Sequence, residues 1–490
     1  MTEIIQLLTV ENTLSRKTNG TQQLLVFLIR VANVGYDKQV EVIWSGEDGV
    51  WQTLPASYLY SRGDGQECWR ARMTVHSQTG RPQPKAIRFA LRLRYAGSEY
   101  WDNNDSNNYT SLAGSGIELA KAITLQNLGF TTQMDESQQW LNIKVAVNPQ
   151  FSADSVEVHW TTDNWLHCRQ ASCRQNSQSR REGAQIWTTR LKVGDAFRLQ
   201  YAIVCQNRHQ QIWDNNGGCN YVASRKPLKV MILNLHCYQE DHQDRKFSQI
   251  AKAIDELAVD IVCFQEVAEH WNHGNGDWDS NSANIINLRL KQPFQLYSDW
   301  SHIGFDKYRE GVALLSRYPM IHRQSRYVSD SHDVHSIHSR KVVMAQIDVP
   351  YIGIINVFSA HLSWWEDGFQ LQFQRLSEWA DNQSGKAMTN TLLCGDFNIT
   401  AGTAGYRQVV EANQYEDQYL AANAQGLFEK IFRVDDPHWQ HYPSDDYRID
   451  YIFMNKDSQL RVTSARALFT DQDYGRVSDH CGYLMTFEPK

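Results

Sequence analysis

The spacing of apolar residues divides the chain into two parts. In residues 1–226 apolar and polar residues alternate, as in segments 144–147 and 197–201. A period of two is typical of strands with one buried face, so this part predicts small β-sandwich modules. After residue 227 continuous apolar runs take over, with one helical stripe between the first two, formed by Phe247, Ile250, Ala251, Ile254, Leu257 and Ala258. This second pattern predicts an α/β domain with buried strands.

Polar side chains stand where the apolar runs of the second part end. The runs 229–233 and 261–264 flank the helical stripe and end at Asn234 and next to Glu266. Parallel strands joined by a helix present their carboxyl ends at one edge of a sheet, where ligands bind. Other predicted strand ends carry His361, Asp396, Asn398, Asp450, Asp479 and His480. The sequence therefore predicts that these residues share one site.

These residue types suit the hydrolysis of a phosphate ester with a divalent metal. Glu266 is a hard oxygen ligand of the kind that Mg²⁺ prefers, and Mn²⁺ is an alternative ion. Asn234 and Asp479 are predicted to support the same ion. His480 has Asp450 available to orient its ring, since a carboxylate can fix the tautomer of an imidazole.

The remaining strand-end residues are predicted to act on the reacting groups. Asp396 is a candidate for positioning or deprotonating the attacking water, while Asn398 and His361 are candidates for donating to phosphoryl oxygens. Taken singly, an Asp at a strand end is more often a turn residue or a helix cap. The prediction therefore depends on the whole set.

In this order and strand context, the set resembles the endonuclease/exonuclease/phosphatase superfamily over about residues 228 to 488. Segment 311–319 also resembles its central strand. The resemblance implies a four-layer α/β sandwich and the metal, phosphate and water-positioning roles given above. Where apurinic endonucleases carry a carboxylate, this chain has His236, and the Lys that follows their Gln-Glu pair is absent. These departures count against a function in abasic-site repair.

The first part of the chain contains an internal repeat. Trp101-Asp-Asn-Asn is followed by Tyr109, and Trp213-Asp-Asn-Asn by Tyr221, with eight residues from Trp to Tyr in both. Segment 40–44 matches segment 156–160 in the same way. Two equivalent modules are therefore predicted.

The repeated signature resembles the starch- and glycogen-binding modules of carbohydrate-binding family 21. Aromatic faces can stack on sugar rings while Asn and Asp bond hydroxyls. The resemblance implies two immunoglobulin-like all-β sandwiches that bind glycogen or a starch-like glucan through Tyr109 and Tyr221, with Trp51 and Trp165 as weaker candidates. In the alternative interpretation, Trp101 lies in the core and the Asn residues hold a turn.

At 490 residues the chain is long enough for about three domains. We expect a first carbohydrate-binding-like module at 1–112, a second at 113–225 and the catalytic domain at 226–490. No run of about 18 apolar residues and no basic signal-peptide start are present. The nine cysteines are scattered without metal-binding spacing. A cytoplasmic protein without membrane insertion is expected.

Charge bears on the choice of substrate. Residues 227–490 contain 24 Lys+Arg against 35 Asp+Glu, a net charge of 24 − 35 = −11. Long nucleic-acid tracts usually require a basic surface, so this balance counts against a nuclease without excluding one. His236, Arg340, Trp364 and Trp365 are predicted substrate contacts. The two tryptophans either stack on a base or sugar or pack beneath the rim.

The leading prediction is a Mg²⁺-dependent phosphodiesterase that cleaves DNA or RNA, a choice that depends on family analogy. The alternative is a phosphatase or phosphodiesterase that acts on a phosphorylated carbohydrate, inositol or other small molecule, which the front modules would help to target. A second alternative is a non-catalytic scaffold bound to glucan. The complete set of catalytic residues argues against the scaffold.

Overall fold

The computed structural model describes residues 4–17, 20–76, 83–176, 183–383, 390–411, 414–423 and 448–490. The chain forms two compact units, Met1–Lys226 and Pro227–Lys490. Among the described residues, no helix is both long and apolar enough to cross a lipid bilayer. All nine cysteines lie in described segments, and none of them forms a disulfide.

The first unit begins with a β-sandwich module whose nine strands, among the described residues, form one continuously hydrogen-bonded sheet. The strands are β1 Ile5–Lys17, β2 Gly20–Ala32, β3 Gln39–Ser45, β4 Gln52–Ser61, β5 Gln66–His76, β6 Ala86–Tyr95, β7 Ser98–Asp102, β8 Tyr109–Leu112 and β9 Gly116–Leu119. Their order is β7-β6-β3-β4-β5-β2-β1-β9, and β8 pairs with β6. Because β9 pairs with β1, the strand that follows the expected boundary at residue 112 completes the first module's sheet.

The second module forms two sheets. Its strands are β10 Leu125–Leu128, β11 Trp140–Val147, β12 Ser155–Thr161, β13 Arg169–Ser172, β14 Arg174–Gln175, β15 Gln185–Lys192, β16 Arg198–Gln206, β17 Gln211–Asp214 and β18 Tyr221–Ser224. One sheet has the order β10-β11-β15-β14, and the other β13-β12-β16-β17 with β18 beside β16. Inward-facing residues of the two sheets share an apolar core, as expected for a sandwich.

The registers of the two modules confirm the repeat seen in the sequence. Trp101 pairs with Arg92 across β7 and β6, and Trp213 pairs with Val204 across β17 and β16. Each tryptophan therefore occupies the same place on the equivalent hairpin of its own module.

The second unit is an α/β domain. Its strands are β19 Leu228–Asn234, β20 Ile261–His270, β21 Gln295–Gly304, β22 Tyr308–Ser316, β23 Met320–Tyr327, β24 Lys341–Val349, β25 Gly353–His361, β26 Thr391–Asp396, β27 Tyr415–Asp417, β28 Asp450–Asn455, β29 Leu460–Leu468 and β30 Gly482–Pro489. Its helices are α1 Gln243–Glu256, α2 Ser282–Leu288, α3 Phe369–Gln383, α4 Ala404–Glu411 and α5 Gln418–Ala422. Among the described residues, the strands form two six-stranded sheets with the orders β21-β22-β20-β19-β30-β29 and β23-β24-β25-β26-β28-β27.

Three apolar clusters separate four layers in this unit. One cluster lies between the two sheets and includes Val230 and Ile355. A second packs α1 and α2 on the outer face of the first sheet, and a third packs α3 and α4 on the second. The predicted helical stripe lies in α1, where Phe247 and Ile250 are buried. The predicted four-layer sandwich is confirmed.

Candidate active site

The carboxyl ends of the central strands bring the predicted residues of the two sheets together. Asn234 ends β19 and is fully buried. Its Nδ2 donates to Glu266 Oε1 at 2.8 Å and to Asp396 Oδ2 at 3.1 Å. Because Glu266 belongs to the first sheet and Asp396 to the second, one amide group joins both sheets at the floor of the site.

A buried aspartate orients His480. Its Nδ1 donates to Asp450 Oδ2 at 2.7 Å, while Nε2 lies 3.8 Å from Asp396 Oδ2 and 4.0 Å from Asp479 Oδ1. Burial alone would lower the pKa of His480, but the carboxylates of Asp450 and Asp479 raise that pKa well above its usual value. The imidazole is therefore a cation held against the carboxylate of Asp450.

Arg340 fixes the tautomer of His361. Arg340 Nη1 lies 3.2 Å from His361 Nδ1, and a guanidinium can only donate, so Nδ1 accepts and Nε2 carries the proton. That Nε2 lies 3.7 Å from Asp396 Oδ2 and 4.0 Å from Glu266 Oε1. Burial and the nearby Arg340 charge lower the pKa of His361 well below its usual value. His361 is thus a neutral donor directed toward the carboxylates.

The site concentrates negative charge in a desolvated pocket. Burial, followed by Glu310 and Asp479, raises the pKa of Glu266 to about 7. Burial and Asp450 raise the pKa of Asp396 to about 6. Crowded carboxylates repel one another, which raises their pKa values. A bound cation offsets this repulsion and favours the ionised form of the carboxylates.

The carboxylates of Glu266 and Asp396 lie close enough together to hold a metal ion, and His361 lies beside them. Ligand atoms of Glu266, His361 and Asp396 all lie within 4.8 Å of one another. This donor set, dominated by carboxylate oxygen, fits a hard divalent cation. Asn234, predicted as a third ligand, turns its nitrogen toward the carboxylates, and its oxygen accepts from the backbone N–H of His236 at 3.1 Å. In this arrangement Asn234 acts as a hydrogen-bond donor to both carboxylates.

His236 and Asp479 form a second charged group at the rim. His236 Nδ1 lies 2.8 Å from Glu240 Oε1 and 3.6 Å from Asp479 Oδ1, and Lys246 also pairs with Glu240. Burial opposes the charge on His236, yet the hydrogen bond from Glu240 and the charge of Asp479 raise its pKa to about 9. The carboxylate expected at this position in apurinic endonucleases is thus replaced by a cation.

Asn398 connects the segments that follow β25 and β26. Its Nδ2 donates to the backbone carbonyl of Leu362 at 2.8 Å, and its backbone N–H donates to Asp396 Oδ1 at 2.9 Å. Asn398 therefore orients the carboxylate of Asp396 while its side chain lines the pocket.

A cavity of about 390 Å³ lies over these groups. Most of the predicted residues line it, namely His236, Glu266, Arg340, His361, Trp364, Asp396, Asn398, Asp479 and His480. Asn234 and Asp450 are buried beside these residues. Trp365 is 38 % exposed, lies outside the lining and faces Phe369 at 6.1 Å between ring centroids. The structure therefore separates the two predicted tryptophan contacts.

Sequence analysis missed two polar residues of the pocket. His302 lies near the carboxyl end of β21, and Glu310 lies opposite it on β22. His302 Nε2 is 3.4 Å from Glu310 Oε1. Both line the cavity and are almost fully buried. Glu310 directly precedes the apolar run 311–315, so a rule that considers only the residues after each run does not find it. His302 offers no such signal.

In the first unit, the tyrosines predicted to stack on sugar point inward. Tyr221 is fully buried, its ring stacks on Tyr201 at 5.1 Å, and its hydroxyl donates to Asp214. It presents no face to a ligand, so the prediction for Tyr221 is wrong. Tyr109 is half-buried, stacks on Phe89 at 5.2 Å and donates to Asp102 at 2.8 Å, which ties it to its own module.

The tryptophans of the repeat face outward instead. Trp101 is 46 % exposed and Trp213 is 45 % exposed, which contradicts the alternative that Trp101 lies in the core. Trp51 is also exposed. Trp165 is half-buried, and with Trp213 it lines a surface depression of about 350 Å³ whose other lining residues are His159, Ala202, Asn215 and Asn220.

Comparison with known proteins agrees with this architecture. Residues 231–480 match the endonuclease/exonuclease/phosphatase family, and residues 6–111 match the carbohydrate/starch-binding module of family 21. The catalytic half is 27 % identical over 264 residues to "Uncharacterized protein YbhP" of Escherichia coli K12, a match that spans 52 % of this chain and 93 % of that protein. A shorter match, 40 % over 86 residues, joins 17 % of the chain to 29 % of protein phosphatase 1 regulatory subunit 3E of Rattus norvegicus.

Two solved structures are also similar. One is an endonuclease/exonuclease/phosphatase family protein from Leptotrichia buccalis, at 25 % identity and TM-score 0.47, covering 53 % of this chain and 99 % of that one. The other is a mannosyl-6-phosphatase from Bacteroides thetaiotaomicron, at 16 % identity and TM-score 0.40, with the same coverage. Because the family match spans residues 231–480, about half of the chain, the protein belongs to the endonuclease/exonuclease/phosphatase family, with a phosphoesterase domain that follows a family 21 carbohydrate-binding module.

Proposed function

We propose that the catalytic unit is a divalent-metal-dependent hydrolase of phosphate esters whose phosphorylated group fits within the pocket, such as a phosphorylated sugar or other small polyol. The observation that carries this proposal is the 390 Å³ cavity directly above Glu266 and Asp396. Its volume lies within the usual range for small-molecule sites, which is about 300–1,000 Å³.

The residues of the site divide the chemical work. Glu266 would hold the ion, which when bound would neutralise phosphoryl oxygens and acidify a water. Asp396 accepts the proton of the attacking water as the new P–O bond forms and the ester P–O bond breaks. The leaving oxygen takes a proton from solvent, and Asp396 returns its proton to solvent.

Fixed cations and donors would face the charge that develops on the phosphoryl group. His480 is held as a cation by Asp450, and His361 keeps its Nε2 proton because Arg340 donates to its Nδ1. Preorganised donors of this kind supply much of the rate enhancement in phosphoryl transfer, because they need not reorient during the reaction. His236 adds a further positive group at the rim.

Small esters are favoured over nucleic acid by charge. The catalytic unit carries a net charge of −11, and the charged groups at the pocket are mostly acidic. A polyanion that follows an extended groove would meet repulsion beyond the metal. Cleavage of DNA or RNA, the leading prediction from the sequence, therefore becomes the competing outcome of the same assay.

The test is a substrate panel with the purified full-length protein in Mg²⁺, in Mn²⁺ and in EDTA. The panel contains sugar monophosphates, inositol phosphates, 4-nitrophenyl phosphate, bis(4-nitrophenyl) phosphate, and single- and double-stranded DNA and RNA. We expect hydrolysis of small esters that EDTA abolishes and either metal restores. Faster cleavage of nucleic acid than of every small ester would overturn the substrate class.

A matched pair of variants tests the site itself. Glu266→Gln removes a carboxylate at the pocket, and we expect kcat to fall by at least about 100-fold. Glu378→Gln is the control, because Glu378 is exposed on α3 and its carboxylate accepts only from Gln374 among the described residues. Equal rates in both variants would show that the activity arises elsewhere.

A second candidate function, glucan binding by the first unit, is favoured by the depression around Trp213. An exposed indole beside Trp165, Asn215 and Asn220 offers the stacking face and the hydrogen-bonding groups that recognise sugar rings. In the first module the equivalent Trp101 has the guanidinium of Arg92 over its ring at 5.4 Å, so that face is covered. We therefore assign the stronger glucan contact to the second module.

Co-sedimentation with glycogen tests this assignment. We expect Trp213→Ala to weaken binding by about tenfold or more, the loss typical of an aromatic contact residue. Trp101→Ala is the matched comparison in the first module and should have the smaller effect. The opposite order of the two losses would reverse the assignment.

A further inference from the structure

A second cavity, of about 270 Å³, lies within the first unit where the two β-modules meet. Its floor is the outer face of the first module's sheet, and its opposite wall comes from β10, β11 and Phe130 of the second module. No residue of the proposed phosphoesterase site or of the depression around Trp213 contributes to it. The cavity is therefore a separate candidate site.

Strand register places two arginines side by side on the floor. Leu28 pairs with Arg70 and Val26 pairs with Arg72 across β2 and β5. Residues two apart on a strand point to the same face, so both guanidinium groups stand beside an apolar strip formed by Val26 and Leu28. Both arginines are exposed, and neither guanidinium group makes a hydrogen bond or an ion pair with a described residue.

The opposite wall adds a third unpaired cation and an unpaired acceptor. Lys144 on β11 is exposed and also has no ion-pair partner in the described part of the chain. Asn127 on β10 is 2 % exposed, and its Nδ2 donates to the hydroxyl of Tyr201 at 2.8 Å. Its Oδ1 has no hydrogen-bond partner among the described residues. Buried polar groups are rarely left in this state.

The cavity has an excess of positive charge, which favours the binding of an anion. Arg70, Arg72 and Lys144 supply three positive charges, and Glu11 supplies one negative charge on the far side of β2 from the arginines. Neighbouring like charges repel unless an anion lies between them. Arginine pairs recognise phosphate oxygens well because each guanidinium presents a planar fork of donors.

Volume and apolar surface define the rest of the ligand. The cavity also contains the rings of Tyr60 and Phe130, which meet edge to face at 4.7 Å. An inorganic anion would leave these rings and the apolar strip without contact, while a polymer would exceed the volume. We propose that this cavity binds a small organic monophosphate, with its phosphate on Arg70 and Arg72 and its ring over Val26, Leu28 and Phe130.

Isothermal titration of the full-length protein in EDTA tests the proposal without requiring catalysis. The probes are glucose 6-phosphate, adenosine monophosphate, inorganic phosphate and glucose. We expect saturable binding of at least one organic monophosphate, weaker binding of inorganic phosphate, and affinity that falls as salt rises. The two organic probes distinguish a sugar ligand from a nucleotide ligand.

Paired variants locate the binding. The double variant Arg70→Gln/Arg72→Gln should weaken binding by at least tenfold, because two charge-assisted contacts are lost. Arg88→Gln is the control, since Arg88 is an exposed strand arginine of the same module outside the cavity. Lys144→Gln tests the opposite wall independently and should also weaken binding.

Several results would overturn the site. Unchanged affinity in the double variant would mean that the phosphate is held elsewhere, for example in the catalytic pocket. Absence of binding by both organic probes would refute the ligand class. Equal affinity for inorganic phosphate would refute the role of the apolar strip.

Discussion

Asp450→Asn is the most informative single change in the active site. Asp450 is 4 % exposed, and its Oδ2 accepts a 2.7 Å hydrogen bond from His480 Nδ1, while its Oδ1 has no hydrogen-bond partner among the described residues. The substitution preserves shape and removes one charge. It therefore isolates the effect of that charge on the imidazole.

The expected fall in kcat follows from the loss of a hydrogen bond to a charged group. A hydrogen bond to a charged group contributes about 1.5–3 kcal/mol, and each 1.36 kcal/mol changes a rate tenfold, so kcat should fall by about 10- to 150-fold. If the new amide turns its nitrogen toward His480, the ring is held in the wrong tautomer. By analogy with a catalytic triad, the loss then approaches about 10⁴-fold.

Stability should respond differently from activity. Asp450→Asn removes the desolvation cost of a buried charge, but it also removes the attraction that keeps His480 charged, so the two effects on stability oppose each other. We therefore expect the midpoint of thermal unfolding to stay within a few degrees of wild type. Asp348→Asn is the control, because Asp348 is exposed on β24.

The assay measures kcat and KM on the best ester of the panel, together with thermal unfolding of each variant. A kcat within threefold of wild type would refute the role given to the Asp450–His480 pair. A large fall in the unfolding midpoint would show instead that the carboxylate is structural.

Three further changes test other parts of the structure. Gly395→Ala would place a Cβ 2.0 Å from the backbone oxygen of Ala360 at φ +133°, so we expect at least about 3 kcal/mol lower stability in urea unfolding, and a loss under 1 kcal/mol would contradict the packing. Arg448→Met removes the ion-pair partner of the buried Asp417, whose carboxylate keeps the hydrogen bonds from Tyr406 and the Tyr419 backbone. We therefore expect a loss of about 3–5 kcal/mol in urea unfolding, and unchanged stability would contradict the role of the pair. Gly304→Ala would place a Cβ 2.4 Å from Glu310 Oε2, so it should displace that carboxylate and raise KM, with an unchanged KM as the contrary result.

Strand-end logic predicted the catalytic floor well for a physical reason. A buried strand must be apolar, so a polar residue at its end stands out, as Asn234 and Asp396 do. Glu266 stands out because it lies just beyond the apolar run 261–264, although β20 continues past it to His270 beyond a register shift. His302 interrupts no such pattern, because β21 is a half-buried edge strand of mixed composition.

Orientation was harder to predict than position. The sequence predicted the position of the Asn234 amide but not whether its nitrogen or its oxygen faces the carboxylates. The backbone N–H of His236 donates to the oxygen, so the nitrogen faces the carboxylates. It also located the repeated Trp and Tyr of the front modules but reversed their faces. Alternation shows that neighbours on a strand point oppositely, yet it does not show which face the second sheet covers.

The bridge made by Asn234 has a consequence for how the enzyme loses function. Glu266 and Asp396 come from different sheets, so the spacing between the sheets sets the distance between these two groups. That spacing is in turn set by the side chains of the central apolar cluster, such as Ile232 and Leu392. The catalytic rate therefore depends on the distance between the two sheets. Small core substitutions such as Ile232→Val should lower the turnover number at temperatures where the domain remains fully folded.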